Sequence, residues 1–286
     1  MKTIKIIIFF LIALTASLNI HSQNQDSIYL STGPENGSLV VVGGGFIPDN
    51  IFDKFIELAG GVDAHLVVIP TASEEPDLTA EQEFWEGRGF INVSILHTRN
   101  KEIANSDDFV LPLKNAQAVW FGGGRQWRLV DSYKDTKTEE LLWKVLKRGG
   151  VIGGSSAGAT IQGSYLARGD TKNNQIMMGD HEEGFGFMKN TAIDQHLLAR
   201  NRQFDMFDIL KNKPELLGMG IDESTAIIVN KNTLEVMGNS YVIIYDGTFW
   251  SREGSDLKNL PEKDNIFYFL REGDRYDLKK RKIIVK

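Results

Sequence analysis

The chain is built from short apolar runs that stop at glycine, with amphipathic stretches between them, and this alternation restricts the fold more than anything else in the sequence. "SLVVVGGG" (38–45), "AHLVVIPTAS" (64–73), "INVSILHT" (91–98), "AQAVWFGGG" (116–124) and "VIGGSS" (151–156) read as strands. They are too apolar to alternate inside and outside, so both faces must be covered. Between them, "NIFDKFIELAGG" (50–61) has helical apolar spacing at Ile51, Phe55, Ile56 and Leu58. "DLTAEQEFWEGRG" (77–89) and "TEELLWKVLKRGG" (138–150) are further helices, stopped by glycine. Strand and helix in alternation predict an α/β domain with a mainly parallel sheet flanked by helices. From about Met219 the pattern turns to strands and turns alone, which we read as additional C-terminal β structure attached to the same sheet. No internal repeat or Pro/Gly/Ser-rich linker divides the chain.

Of 286 residues, 42% are hydrophobic, ample for a sizeable core. Asp and Glu total 38 against 32 Lys and Arg, and the one dense basic run, "KKRK" (279–282), sits between apolar residues as a solvated strand end. A nucleic-acid partner is excluded, because it needs a basic stripe. There is no cysteine, which rules out a thiol nucleophile, a zinc–thiolate site and any disulfide. No cofactor or metal is expected.

At the N-terminus, Lys2 and Lys5 precede "IIIFFLIAL" and the polar "TASLNIHSQ". A basic region, a short apolar run and a polar end predict a secretory signal over residues 1–23, too short for a comfortable membrane span. The expectation is a periplasmic or secreted protein with no membrane attachment after cleavage. Residues 24–286 form a single α/β hydrolytic domain with a β-rich C-terminal part, and a homodimer is allowed. Removal of the segment takes the formal charge from −6 to −8.

"VIGGSSAGAT" (151–160) places Gly154-x-Ser156-x-Gly158 directly after a strand. A serine on a tight strand-to-helix turn projects its hydroxyl, and neighbours without side chains let helix and substrate approach. The next amide, from Ala157, faces a developing oxyanion at a helix N-terminus. Serine needs a base. Of the five histidines, His21 lies in the signal, and His65 and His97 lie at strand ends. His181, in "GDHEEG", reads as a loop or metal residue. His196, in "AIDQHLLARNR", begins a segment dense in polar groups and is the expected base. A carboxylate should orient the imidazole. With the order Ser…Asp/Glu…His, the choices are Asp170, Asp180, Glu182 and Glu183, and Asp170 is the first. In "WFGGGRQWRL" (120–129), amides of Gly123 and Gly124 are candidates to complete an oxyanion hole, with Gln126 touching substrate. A structural strand-to-helix turn is the alternative reading there. The earlier turn "GGGFIP" carries Pro48 where a dinucleotide fingerprint has its last glycine.

Taken together, "WFGGGRQ", "GGSSAGA", "DQHLLARNR" and "GIDESTAIIV" resemble the cyanophycinase-like serine peptidases, relatives of aspartyl dipeptidase, over roughly Leu39 to Asn230. The resemblance implies a fold like the class I glutamine amidotransferase domain, with serine in place of cysteine. It implies Ser156 as nucleophile, His196 as base, and Gln126, Asp194, Gln195, Arg200 and Arg202 around an aspartyl peptide substrate. Cyanophycinases release β-aspartyl-arginine dipeptides from a poly-aspartate backbone. Two positions depart from that pattern: Arg125 stands where the family turn usually has Asp, and Asp205 where a further arginine often follows. We read Arg125 as a substitute for that arginine. On a helix, Arg200 would share a face with His196, and Asp194 would either hold a positive substrate end or cap that helix. An esterase or amidase with the same triad, and an inactive module binding acidic peptides, are the competing functions.

Overall fold

The computed structural model describes residues 30–246 and 268–285; the expected signal segment lies outside them. The run Leu39–Val42 is the middle of the architecture. Strand β1 (Ser38–Val42) is followed by helix α1 (Asp49–Ala59), β2 (His65–Ile69), α2 (Leu78–Glu86) and β3 (Asn92–Ile95). A short α3 (Lys101–Ala104) leads to β4 (Ala118–Phe121), α4 (Gln126–Tyr133), α5 (Lys137–Lys147) and β5 (Val151–Ser155). Local chemistry sets the helix ends. Asp77 accepts the N–H groups of Thr79 and Ala80 at the start of α2, and Gly60 ends α1 at φ 94°.

These five strands pair in parallel in the order β1-β5-β4-β2-β3. Successive residues of β1 point to opposite sides of the sheet. Leu39 and Val41 join one core with Leu142, Val145 and Phe121, whereas Val40 and Val42 join another with Phe52, Phe55 and Trp85. Helices cover both faces, which is why the strands carry no polar alternation.

After β5 come α6 (Ala157–Thr160), β6 (Gly163–Tyr165), β7 (Met188–Gln195), α7 (Met206–Leu210), β8 (Leu217–Ile221), β9 (Thr225–Asn230), β10 (Thr233–Gly238) and β11 (Val242–Asp246). The described chain ends with β12 (Tyr268–Leu270), β13 (Arg275–Asp277) and β14 (Lys282–Ile283). Here the sequence expectation needs correcting. Only β9, β10, β13 and β14 extend the first sheet, in antiparallel pairings beyond β1. Strands β6, β7, β8, β11 and β12 form a second sheet, in the order β12-β11-β8-β7-β6. Its residues Ile193, Leu217, Met219 and Ile221 pack into the same core as Leu39 and Leu142. The helix expected from Ala157 onward is a single turn, because β6 begins at Gly163.

Candidate active site

The glycine-lined bend is where β5 ends. Ser156 has φ 56° and ψ −111°, a backbone that costs a residue with a Cβ about 1–3 kcal/mol and persists only where the surroundings enforce it. The flanking glycines are required by proximity. A Cβ on Gly154 would lie 2.3 Å from the Gly158 carbonyl oxygen, and one on Gly158 2.3 Å from that of Phe121. The first turn of α6 therefore sits directly on β4 and β5, and Ser156 is pushed outward.

Its Oγ is 2.9 Å from Nε2 of His196. His196 follows β7 immediately, itself at φ 52°. The other ring nitrogen, Nδ1, lies 2.6 Å from Oε1 of Glu223. One piece of backbone sets this register: the carbonyls of Val42, Gly43 and Gly44 accept, in turn, the N–H groups of Ser156, His196 and Ser224. Three residues at the end of β1 thus fix hydroxyl, imidazole and carboxylate from three different segments.

Burial is the largest influence on His196 and holds its pKa below the ordinary histidine value; Arg200 and Arg202 push the same way, and the Glu223 carboxylate opposes them. The imidazole is therefore neutral near pH 7 and able to take a proton. The partly exposed Glu223 carboxylate on Nδ1 places the proton there and leaves Nε2 as the acceptor facing serine.

Glu223, not Asp170, is the carboxylate against His196. Asp170 is spent on its own loop: Oδ1 accepts the N–H groups of Lys172 and Asn173, and its carbonyl accepts from the Arg125 guanidinium. Asp180, Glu182 and Glu183 are likewise elsewhere. Asp180 binds Thr171 and His181, Glu182 takes the Tyr165 hydroxyl, and Glu183 pairs with Lys134. His181 is flanked by Asp180 and Asp131. The expected order Ser…Asp/Glu…His passes over Glu223, which follows the histidine. The order here is Ser, His, Glu. The signal lies in the second sheet: β7 and β8 run parallel with Gln195 opposite Ile221, so the residues that follow each strand emerge side by side.

The other residues singled out in the sequence divide into those bordering the serine and those holding the frame. Gly123 borders it, with a built Cβ 3.6 Å from the Ser156 Cβ. The N–H groups of Gly123 and Ala157 take no partner among the described residues. Gly124, at φ 137°, is pressed against the Ala72 carbonyl, and the next N–H, of Arg125, donates to that same oxygen. Gln126 is buried and donates through Nε2 to the carbonyls of Ala167 and Arg168, so that amide nitrogen is a strut. Arg125 is tied to Asp170.

Asp194 and Gln195 end β7 and do not start a helix. Residues 197–200 form a turn in which the Arg200 N–H donates to the His196 carbonyl. The cap expected of Asp194 is supplied by Asp222, whose Oδ1 accepts the N–H groups of Leu198 and Ala199. Asp194 instead holds the guanidinium of Arg168 in two hydrogen bonds of 2.7 and 2.9 Å. Gln195 is held by buried Arg202, and Arg200 is exposed.

A hydroxyl lifted from a parallel sheet toward a neutral, carboxylate-backed imidazole places the molecule among the serine hydrolases. Comparison with known proteins narrows this. The model of peptidase family S51 matches residues 39–237, and the chain belongs to that family and is a serine-type peptidase. It is 31% identical over 257 residues to the cyanophycinase of Geminocystis herdmanii, covering 85% of this chain and 94% of the relative. It is 28% identical over 246 residues to the cyanophycinase of a Nostoc species, covering 82% of each. Among solved structures, a peptidase from an acI-B1 Actinobacterium superposes with a TM-score of 0.60 at 23% identity, over 86% of this chain and 98% of the other. That last likeness concerns the fold.

Proposed function

We propose that the chain is an exported peptidase that cleaves aspartyl peptides through an acyl-enzyme. The observation that carries the mechanism is the continuous line Ser156 Oγ, His196 Nε2, His196 Nδ1, Glu223 Oε1 at 2.9 and 2.6 Å. Ser156 attacks the scissile carbonyl while His196 takes its proton. The tetrahedral oxyanion is met by the N–H groups of Ala157 and Gly123. His196, now cationic and steadied by Glu223, returns the proton to the leaving amine. Water then repeats the sequence on the ester. Aspartyl specificity is supported by the two cyanophycinase relatives and by Arg200, exposed and close enough to His196 to depress its pKa. Arginines suit carboxylates because the guanidinium offers paired donors. Export is supported by Lys2, Lys5 and the apolar run after them.

The test is hydrolysis of α- and β-aspartyl peptides, cyanophycin and a simple ester by the purified protein and by Ser156→Ala. The aspartyl peptides are expected to be cleaved, and the variant is expected to lose on the order of 10⁴–10⁶-fold in kcat/KM. A variant that keeps near-full activity removes the mechanism, and turnover of the ester alone removes the peptide specificity. Mass measurement of the N-terminus of the native protein tests export, since an intact Met1 contradicts it.

A further inference from the structure

Arg168 lies outside the residues that the sequence patterns single out, yet it bonds to three segments that border the site. It is fully buried, at φ 57°. Its Nε and Nη2 grip both oxygens of Asp194, Nη2 also reaches Asp205 Oδ2 at 2.5 Å, and Nη1 donates to the Asn174 carbonyl. Its own carbonyl accepts from Gln126, the first residue after the glycine turn and Arg125. One residue thus ties together the start of α4, the end of β7 two residues before His196, and the turn that carries Arg202. The charges matter as much as the geometry. Asp194 is buried and both its oxygens are consumed, so it offers no free oxygen to a substrate cation. Arg202, 4.0 Å from Asp194 Oδ1, completes a cluster in which two arginines face two aspartates. Arg200, one turn after His196 with its N–H on the His196 carbonyl, is exposed and has no carboxylate partner among the described residues.

We infer that Arg168 is a positioning residue of this site, and that by neutralising Asp194 it leaves a cationic subsite that selects an anionic group next to the scissile aspartyl bond. The inference rests on the aspartyl-peptide reading. It departs from the charge-based reading of the sequence, in which the Asp194 carboxylate holds a positive substrate end. Asp205, standing where relatives often carry arginine, is part of the same device: it shares Arg168 with Asp194.

The experiment compares three aspartyl peptides that differ in one neighbouring group (carboxylate, amide or guanidinium), using purified full-length protein. Wild type is expected to prefer the carboxylate peptide. Arg168→Gln leaves Asp194 without its partner, and should raise the guanidinium-to-carboxylate ratio of kcat/KM at least tenfold. Arg168→Gln with Asp194→Asn should cancel that rise, and Arg168→Lys should restore part of the wild-type ratio. Asp205→Asn, milder because that carboxylate is partly exposed, should move the ratio about threefold in the opposite direction, since it removes a negative charge. It covers the case in which Arg168→Gln does not fold. Ratios within twofold of wild type in every folded variant overturn the inference. Labelling of Ser156 by diisopropyl fluorophosphate separates this from the substrate reading. Slowing of at least tenfold in Arg168→Gln is expected even if no aspartyl peptide is cleaved, and an unchanged labelling rate overturns the positioning role.

Discussion

At the residue scale, the three reacting groups differ in how visible they are in the sequence. Ser156 stands in a local pattern of small residues whose reason is steric, and steric reasons are readable over five positions. His196 is distinguished by the polar residues that follow it. Glu223 lies in "GIDESTAIIV", a stretch that carries the resemblance, but nothing local names its partner, because that is set by the pairing of β7 with β8. The choice between Glu223 and Asp170 is open to direct test. Glu223→Gln should cost about 10²–10⁴-fold in kcat, because the amide no longer fixes the imidazole tautomer. Asp170→Asn should cost less than about tenfold, since its oxygen still accepts the two loop N–H groups. Steady-state kinetics of the pair decides it. The pH profile follows from the same contacts. His196 works only when neutral, so activity is present above its pKa and lost below it. That pKa is lowered by burial, so the acid limb of kcat/KM should fall below about 6.5, the ordinary histidine value. Glu223 is the group that opposes the lowering, so Glu223→Gln should push the limb further toward acid. A limb above 6.5 in the wild type would contradict this account of the site.

At the scale of elements, the parallel half of the fold is legible because each strand and helix states its own burial. The apolar runs are short, both faces are covered, and glycine marks the ends. The second half is less so. Strands β8 to β14 look alike one at a time, and their division between two sheets depends on which partner each meets across tens of residues. The extension of β1 is the element on which the site depends most directly. Its last carbonyls hold Ser156, His196 and Ser224, and a Cβ on Gly44 would fall 2.3 Å from the His196 ring. Gly44 is also at φ 114°. Gly44→Ala must therefore displace the imidazole or the strand end, and a displacement of about 1 Å costs on the order of 10²-fold in rate. The expected result is a loss of about that size in kcat, with the far-ultraviolet circular dichroism of the wild type retained. A kcat within threefold of wild type would mean that β1 does not set the register of the imidazole.

At the scale of the whole molecule, two electrostatic influences act on an anionic peptide in opposite directions. The chain carries a formal charge of −6, which repels the substrate, whereas exposed Arg200 attracts it. Magnitude decides between them. Six charges at roughly 20 Å in water amount to about 1 kcal/mol before screening, and at 0.1 M salt the Debye length of about 10 Å leaves only a fraction of that. A guanidinium and a carboxylate at about 4 Å near a protein surface, at an effective dielectric of roughly 20, interact by about 4 kcal/mol. The local attraction dominates, and it is the contribution that salt can still weaken, because Arg200 is exposed. Raising sodium chloride from about 0.05 to 0.5 M, which shortens the Debye length about threefold, should therefore raise KM for a dianionic aspartyl peptide several-fold. The triad is partly buried, so kcat should stay within twofold. An uncharged ester should show neither change. A KM that falls with salt would mean that the overall negative charge, rather than Arg200, governs how substrate reaches Ser156.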